Sequence, residues 1–556
     1  MSSGLRSTAR VFALAARNRQ LRRLELGFFA FNGAEWGVWI ALLVYAYGDG
    51  GGATAAGLMA LAQLVPSALL APALSTFADR MRPGRVLFVG YLLQAMTMAV
   101  LAGAIALGAP RLAVFALAPL TTLAITITRP AQAAVLPSVV RSPEQLTCAN
   151  VVAGWMEGGS VFIAPALAGL LMGIGGTELA IAAMALIILV GALLVMPIKG
   201  PQPMPASGDG DEAGFAAEVV NGIRVVSHHP AARLLVVVLA VQYMLMGALD
   251  VLYVVLAIDV LDMGESGAGY LNAAFGAGGL VGGVITAGLV VRRRLAPALV
   301  VGIALVGISL VVLAAAPSQA AAFALLATAG VGRTVFDVTG RTLLQRTVPA
   351  EVLARVFGLL ESMMDVGLAL GSVLVPVLVA IGGPRTALAG SGILLALIVG
   401  TAAGRLWTID QAATVPLVEL SLLRQLPLFS PLPGPALETL ARSLTPVSVP
   451  AGEVLMRQGE PGDLFYAIAD GELDVTRDGQ PVARLSRGEG VGEIALLHSV
   501  PRTATVTAAT DVHLYALGIE PFLLALTGHP AAGRAAQGVA EARLRELTEL
   551  DGRPAL

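Results

Sequence analysis

Glu493 and Arg502 stand nine positions apart in the stretch GEIALLHSVPRTATV, Gly492 to Val506. An ionised carboxylate only accepts hydrogen bonds, so Glu493 suits a hydroxyl donor. Arg502 offers a planar, permanently charged fork that matches a phosphodiester. Gly492 and Glu493 open a short helical turn, and the free backbone N–H groups there, through Ile494 and Ala495, are expected to point at the same anion. These residue types at this spacing fit a small ligand that carries one phosphate charge and a neighbouring sugar hydroxyl.

A second set of reactive side chains lies inside apolar runs, where an ionisable group is costly and is a functional candidate by default. Glu35 falls about eleven residues into the first run, with Asn32 one turn before it and Trp36 beside it. A carboxylate in that setting can exchange a proton. Glu157 sits among Gly154, Gly158 and Gly159, and Arg129 lies where it can pair with a carboxylate across a cavity. Asp250 belongs to a later run, and Asp259 near its end reads as interfacial. Arg333, Asp337 and Arg341 are spaced by four and share a helix face, which fits an ion-paired ladder as well as a substrate contact. Glu361 and Asp365 read as acids in the first turns of a helix, compensating its dipole.

The elements that must hold these groups follow from composition. Of 556 residues, 56% are hydrophobic and 13% charged, with a mean hydropathy of +0.80. Soluble chains are about one quarter charged, so much of this one has lipid as its solvent. Net charge is −2, which gives no reason to expect nucleic acid as a partner. A lone cysteine, Cys148, forbids an internal disulfide and speaks against a metal cluster. The adjacent His228 and His229 diverge on a helix and read as a surface pair, so no metal is expected. The single lysine, Lys199, precedes a glycine. A phosphate-binding Walker loop needs lysine before serine or threonine, so movement of a solute would have to run on a gradient. No HExxH or nucleophile elbow appears either, and no enzyme is expected.

Hydropathy divides the chain into twelve apolar spans in two sets of six. Residues 1–198 form the first bundle, 199–231 a central loop, 232–406 the second bundle, 407–421 a linker and 422–556 a terminal domain. Within the loop, Phe215 to Arg233 has the spacing of a helix lying on the membrane surface. Connections after even-numbered spans carry Arg80, Arg82, Arg85, Arg141, Arg292 to Arg294, Arg346 and Arg355, whereas those after odd-numbered spans carry Arg111 and Arg385. The positive-inside rule then puts both termini and the terminal domain in the cytoplasm, with the chain in the inner, or plasma, membrane.

Several stretches carry resemblances. The loop STFADRMRPGR, Ser75 to Arg85, resembles the connection between the second and third helices of the major facilitator superfamily, with Ser75 in place of a glycine and one added residue. The resemblance implies a gating clamp of Asp79, Arg80 and Arg85 at the cytoplasmic mouth. TRPAQAAVLPSVV (Thr128 to Val140), SVFIAPALAG (Ser160 to Gly169) and QRTVPAEVLARVFGLLES (Gln345 to Ser362) are similar to segments of that superfamily's drug and siderophore exporters. Small residues around Pro165 also serve close helix packing, so they weigh little on direction. The implied fold is an all-α membrane bundle of six plus six helices, whose cavity would be lined by Glu35, Arg129, Asp250, Arg333 and Asp337; with Asn32 and Glu157 these are the candidates for transport and proton coupling.

The last 135 or so residues, including VPAGEVLMRQGEPGDLFYAIADGELDV (Val449 to Val475), resemble the cyclic nucleotide-binding domain family. That resemblance implies a cytoplasmic β-roll with flanking helices, the last closing over the ligand. It gives Glu493 the ribose hydroxyl, Arg502 the phosphate and Thr503 an influence on the base. Cyclic AMP is expected ahead of cyclic GMP, although a threonine at 503 occurs with either. Val491 replaces the family's usual aromatic. The whole reads as a secondary active transporter, a proton-coupled exporter of an amphiphilic small molecule, regulated by cyclic nucleotide and able to dimerise through its cytoplasmic domain. A lipid flippase of the same fold and a non-transporting receptor are the alternatives.

Overall fold

The computed structural model describes residues 18–549 apart from 49, 80, 141–142, 199, 201–223, 225, 228, 290–293, 349, 413–416 and 499. It divides into a helical unit and a second unit that begins its main run at Thr414.

In the helical unit, α1 (Arg19–Tyr47), α2 (Gly52–Asp79), α3 (Pro83–Ala106), α4 (Arg111–Leu117), α5 (Pro119–Val139) and α6 (Pro143–Val195) make the first half. The second half comprises α7 (Pro230–Val255), extended by a wider π turn at Leu256–Val260, then α8 (Glu265–Leu289), α9 (Ala296–Ala315), α10 (Gln319–Thr347) and α11 (Ala350–Ala412). Ten continuous stretches among the described residues are long and apolar enough to cross a membrane. Two of them are helix pairs. α6 breaks at Gly175–Gly176 and α11 at Gly382–Gly383, where the second glycine has φ of 76° and 80°. Only glycine takes that left-handed geometry without strain, so the twelve expected spans are present. Many apolar side chains remain on the outside, Leu69, Leu107, Ile174 and Leu397 among them, as lipid-facing helices require.

Two boundaries differ from the sequence reading. The last membrane helix runs past 406 to Ala412 and the next helix starts at Leu417, so most of the expected linker is helical. Asp410 is the reason: its carboxylate accepts the backbone N–H groups of Leu295 and Ala296 at 3.1 Å, and its carbonyl accepts from Arg294 Nη1 at 2.7 Å. An acid at the start of α9 satisfies orphan donors and the helix dipole together. The surface helix expected at Phe215 to Arg233 lies largely outside the described residues, and Arg233 itself belongs to α7.

The second unit opens with α12 (Leu417–Gln425) and α13 (Gly434–Arg442), followed by eight strands: β1 (Thr445–Val449), β2 (Val454–Met456), β3 (Leu464–Asp470), β4 (Leu473–Arg477), β5 (Gln480–Leu485), β6 (Gly490–Val491), β7 (Thr505–Ala508) and β8 (Val512–Gly518). They form two antiparallel four-stranded sheets, ordered β1-β8-β3-β6 and β2-β7-β4-β5. The short α14 (Glu493–His498) interrupts them, and α15 (Ile519–Thr527) and α16 (Pro530–Glu549) close the chain. The β4–β5 turn has positive φ at both Asp478 and Gly479, the geometry that matches strand twist in a two-residue hairpin. Ile468, Leu473, Val506 and Leu514 fill the roll. Phe429, Phe465 and Phe522, with centroids 5.3–5.9 Å apart, pin the helices to its back.

Candidate functional site

β6 is followed by Gly492, whose φ of 99° turns the chain into α14. A Cβ there would come within 2.8 Å of the Leu464 carbonyl, and one at Gly462 would come within 2.6 Å of Arg502 Cζ. These two glycines therefore make the seat in which the Arg502 guanidinium lies. Arg502 Nη1 donates to the Gly492 carbonyl (3.2 Å) and Nη2 to that of Leu464 (2.8 Å). The side chain is buried, and burial lowers its pKa from the ordinary arginine value, with Tyr466, Asp463 and Glu493 acting the other way. No carboxylate pairs with it among the described residues, so its charge stays uncompensated at close range.

Glu493 is 1% exposed. Its Oε1 accepts from Arg543 Nη1 at 2.8 Å, and its Oε2 is buried without a hydrogen-bond partner. Gly492, Glu493, Ile494, Ala495, Arg502 and Thr503 all line one pocket, of about 600 Å³ including its open mouth, whose walls are otherwise mostly apolar. The arrangement offers one cationic fork, one open carboxylate oxygen and an apolar slot. A buried acceptor without a partner is costly, and a sugar hydroxyl would satisfy it.

In the helical unit Arg129 of α5 reaches two other helices. Its Nη2 donates to Asn32 Oδ1 (3.3 Å) and to Glu35 Oε2 (3.0 Å) on α1, and its Nη1 pairs with Glu157 Oε1 on α6 at 3.5 Å. Asn32 is fully buried and donates back to the Phe28 carbonyl. Four of the seven candidates for transport and proton coupling thus form one cluster. The other half has its own: Arg341 meets Asp337 at 3.3 Å, Glu361 at 2.9 Å and the Tyr243 hydroxyl. Arg333 has its Nε buried without a partner and forms no ion pair with Asp337 among the described residues, so the expected Arg333–Asp337–Arg341 ladder keeps one of its two rungs. Between the halves, Trp39 Nε1 donates to the buried Asp250 (3.1 Å), and the Tyr47 hydroxyl donates to Asp259.

Comparison with known proteins follows the same division. The model of the Major Facilitator Superfamily matches residues 24–352, more than half of the chain. The chain belongs to that superfamily. The model of the cyclic nucleotide-binding domain matches residues 446–527, so this member carries such a domain at its C-terminal end. Over 102 residues the chain is 40% identical to a cAMP-dependent protein kinase regulatory subunit of Yarrowia lipolytica, covering 18% of this chain and 27% of that one. Over 109 residues it is 40% identical to a cyclic nucleotide-gated potassium channel of Rhizobium etli, covering 20% and 30%. The chain therefore spans less than a third of the length of these curated relatives. A solved structure of PKAR CBD2 with Sp-2Cl-cAMPS bound is 25% identical, with 24% of this chain and 89% of that one covered and a TM-score of 0.22.

Within this superfamily member, the expected gating clamp is described only in part. Arg80 and the Asp79 side chain lie outside the described residues, while Arg85 is exposed in the first turn of α3. Glu361 does not compensate a helix terminus, because α11 begins at Ala350 and the dipole has faded three turns later; it neutralises Arg341 instead. Around Pro165, Gly169 of α6 lies so close to α8 that a Cβ would come within 2.6 Å of the Ser266 carbonyl, which accounts for the small residues by packing. Sequence reasoning missed Arg543, Gly462, Asp410 and Glu25. Glu25, in the second turn of α1, is 2% exposed with neither oxygen bonded. An acid so near the end of a span reads as interfacial, and no local signal marks its burial.

Proposed function

We propose that this superfamily member is a secondary active transporter, a proton-coupled exporter of an amphiphilic small molecule, in the inner membrane with both termini cytoplasmic. Cyclic nucleotide held by the terminal domain, cyclic AMP ahead of cyclic GMP, sets its inward–outward equilibrium. The observation that carries the reading is Arg129, bonded to Glu35 and facing Glu157 from a third helix. Protonating Glu35 removes the charge that holds Arg129, and a cationic or amphiphilic solute competes for the same carboxylates, so proton and solute exchange on one cluster.

With arginines marking the cytoplasmic ends, Tyr47 lies on the outer side. The bonds Trp39–Asp250 and Tyr47–Asp259 then hold the two halves together there, which corresponds to a conformer closed to the outside. A nucleotide shifts such an equilibrium only by binding its two states unequally; couplings of about 1–3 kcal/mol tune flux roughly 5- to 150-fold.

The test is flux in proteoliposomes. Solute-driven proton movement should vanish in Glu35→Gln, and its rate in the intact protein should change when cyclic AMP is supplied on the side of the terminal domain. Proton movement that persists in Glu35→Gln would remove Glu35 from coupling. Flux indifferent to a nucleotide that is demonstrably bound would end the regulatory reading.

A further inference from the structure

The nucleotide pocket has a charged residue that the binding motif does not contain. Arg543 lies on α16, fifty positions beyond the carboxylate it meets. Its Nη1 donates to Glu493 Oε1 (2.8 Å) and to the Gly490 carbonyl (2.5 Å). The two ends of this ion pair differ in burial: the Glu493 side chain is 2% exposed and that of Arg543 is 24% exposed. α16 meets α14 here through a small apolar cluster in which Ile494 and Ala540 are buried, with Val482, Leu497 and Leu544 against them. So little apolar area leaves the ion pair a large share of what docks this end of the helix.

A carboxylate rotates about its last side-chain bond, a broad torsion with shallow wells. Fixing Oε1 by a charge-assisted bond therefore fixes where Oε2 points. That second oxygen is buried, has no partner and belongs to a residue lining the pocket. The same contact gives this buried carboxylate a partner, where an unpaired charge would be costly.

We propose that Arg543 is a positioning residue: it holds Glu493 so that its free oxygen receives the ribose 2′-hydroxyl, and it thereby couples sugar recognition to docking of the C-terminal helix. The proposal rests on the pocket's being a cyclic nucleotide site. By reciprocity, a nucleotide that engages Glu493 tightens α16 as much as docked α16 tightens the nucleotide. A ligand lacking the hydroxyl leaves the Oε2 acceptor unsatisfied and gains nothing from Arg543.

The experiment compares cyclic AMP with 2′-deoxy cyclic AMP by equilibrium binding to the purified full chain and to its variants. The intact protein should prefer cyclic AMP by roughly 10- to 150-fold, the range of a hydrogen bond to a charged group. Arg543→Ala should weaken cyclic AMP binding about tenfold or more yet leave the deoxy ligand within about twofold, so that discrimination collapses. Arg543→Lys, which keeps a cation without the planar fork, should restore part of it. Equal loss for both ligands would overturn the proposal, since a direct contact to phosphate or base, or a purely structural role, moves both alike. Retained discrimination in Arg543→Ala would overturn it too. An intact protein that binds neither ligand would instead overturn the cyclic nucleotide reading on which the proposal rests.

Discussion

Arg129 in the helical unit and Arg502 in the terminal domain are both drawn into sites, but by opposite company. Arg129 is set between two carboxylates and a buried amide, and Arg341 repeats the arrangement with Asp337 and Glu361. Arg502 is held by two backbone carbonyls and pairs with no acid among the described residues. Carbonyls fix the position of a guanidinium without cancelling its charge, whereas carboxylates do both. The first kind of arginine is balanced where it stands; the second keeps a charge that an anion can meet.

The largest break in that contrast should come from Arg502→Ala. Removing one partner of a buried, charged contact costs about 2–5 kcal/mol, so cyclic AMP affinity in a titration should fall roughly 30-fold to several-thousand-fold. Arg129→Ala should stop solute-coupled proton movement while nucleotide affinity stays put. Nucleotide affinity that fell equally in both variants would erase the distinction.

A finer probe leaves Arg502 in place and disturbs its seat. Gly462→Ala puts a methyl group against the guanidinium, and overpacking of about 1–3 kcal/mol predicts a 5- to 150-fold weaker nucleotide. Unchanged affinity would mean that the seat is not what aims the arginine. The smallest effect is expected for Trp39→Phe, which keeps most of the aromatic surface and removes the donor to Asp250. Loss of about 0.5–1.5 kcal/mol should shift the balance of conformers some 2- to 12-fold, read as the distance between spin labels on the Tyr47 ends of the two halves. No shift would show that the bond is not a latch.

The contrast also separates what a sequence can carry. The membrane half was legible as apolar runs, and the binding motif as a glycine, an acid and an arginine at fixed spacing, because both signals are local. Arg129 could be expected to seek an acid, and it found Glu35 and Glu157. Arg543 could not be assigned: its partner is fifty residues away, and the helix pattern around it says only that one face is apolar. Gly462 carries no local signal either, because its role lies in Arg502 filling the space where a side chain would be. Asp410 was hidden because the groups it caps belong to α9, more than a hundred residues earlier.

The paired glycine breaks carry a last consequence. Gly383 follows Gly176 by 207 positions, and the dihedrals agree within a few degrees at the left-handed residue of each pair. A backbone accident repeated at one fixed interval is the mark of duplication, parallel repeats joined end to end. Sliding the first copy by that interval sets Glu35 on Gln242, Arg129 on Phe336 and Glu157 on Met364. The two halves share the backbone break, and each sets an arginine between two acids, but at different positions of the repeat.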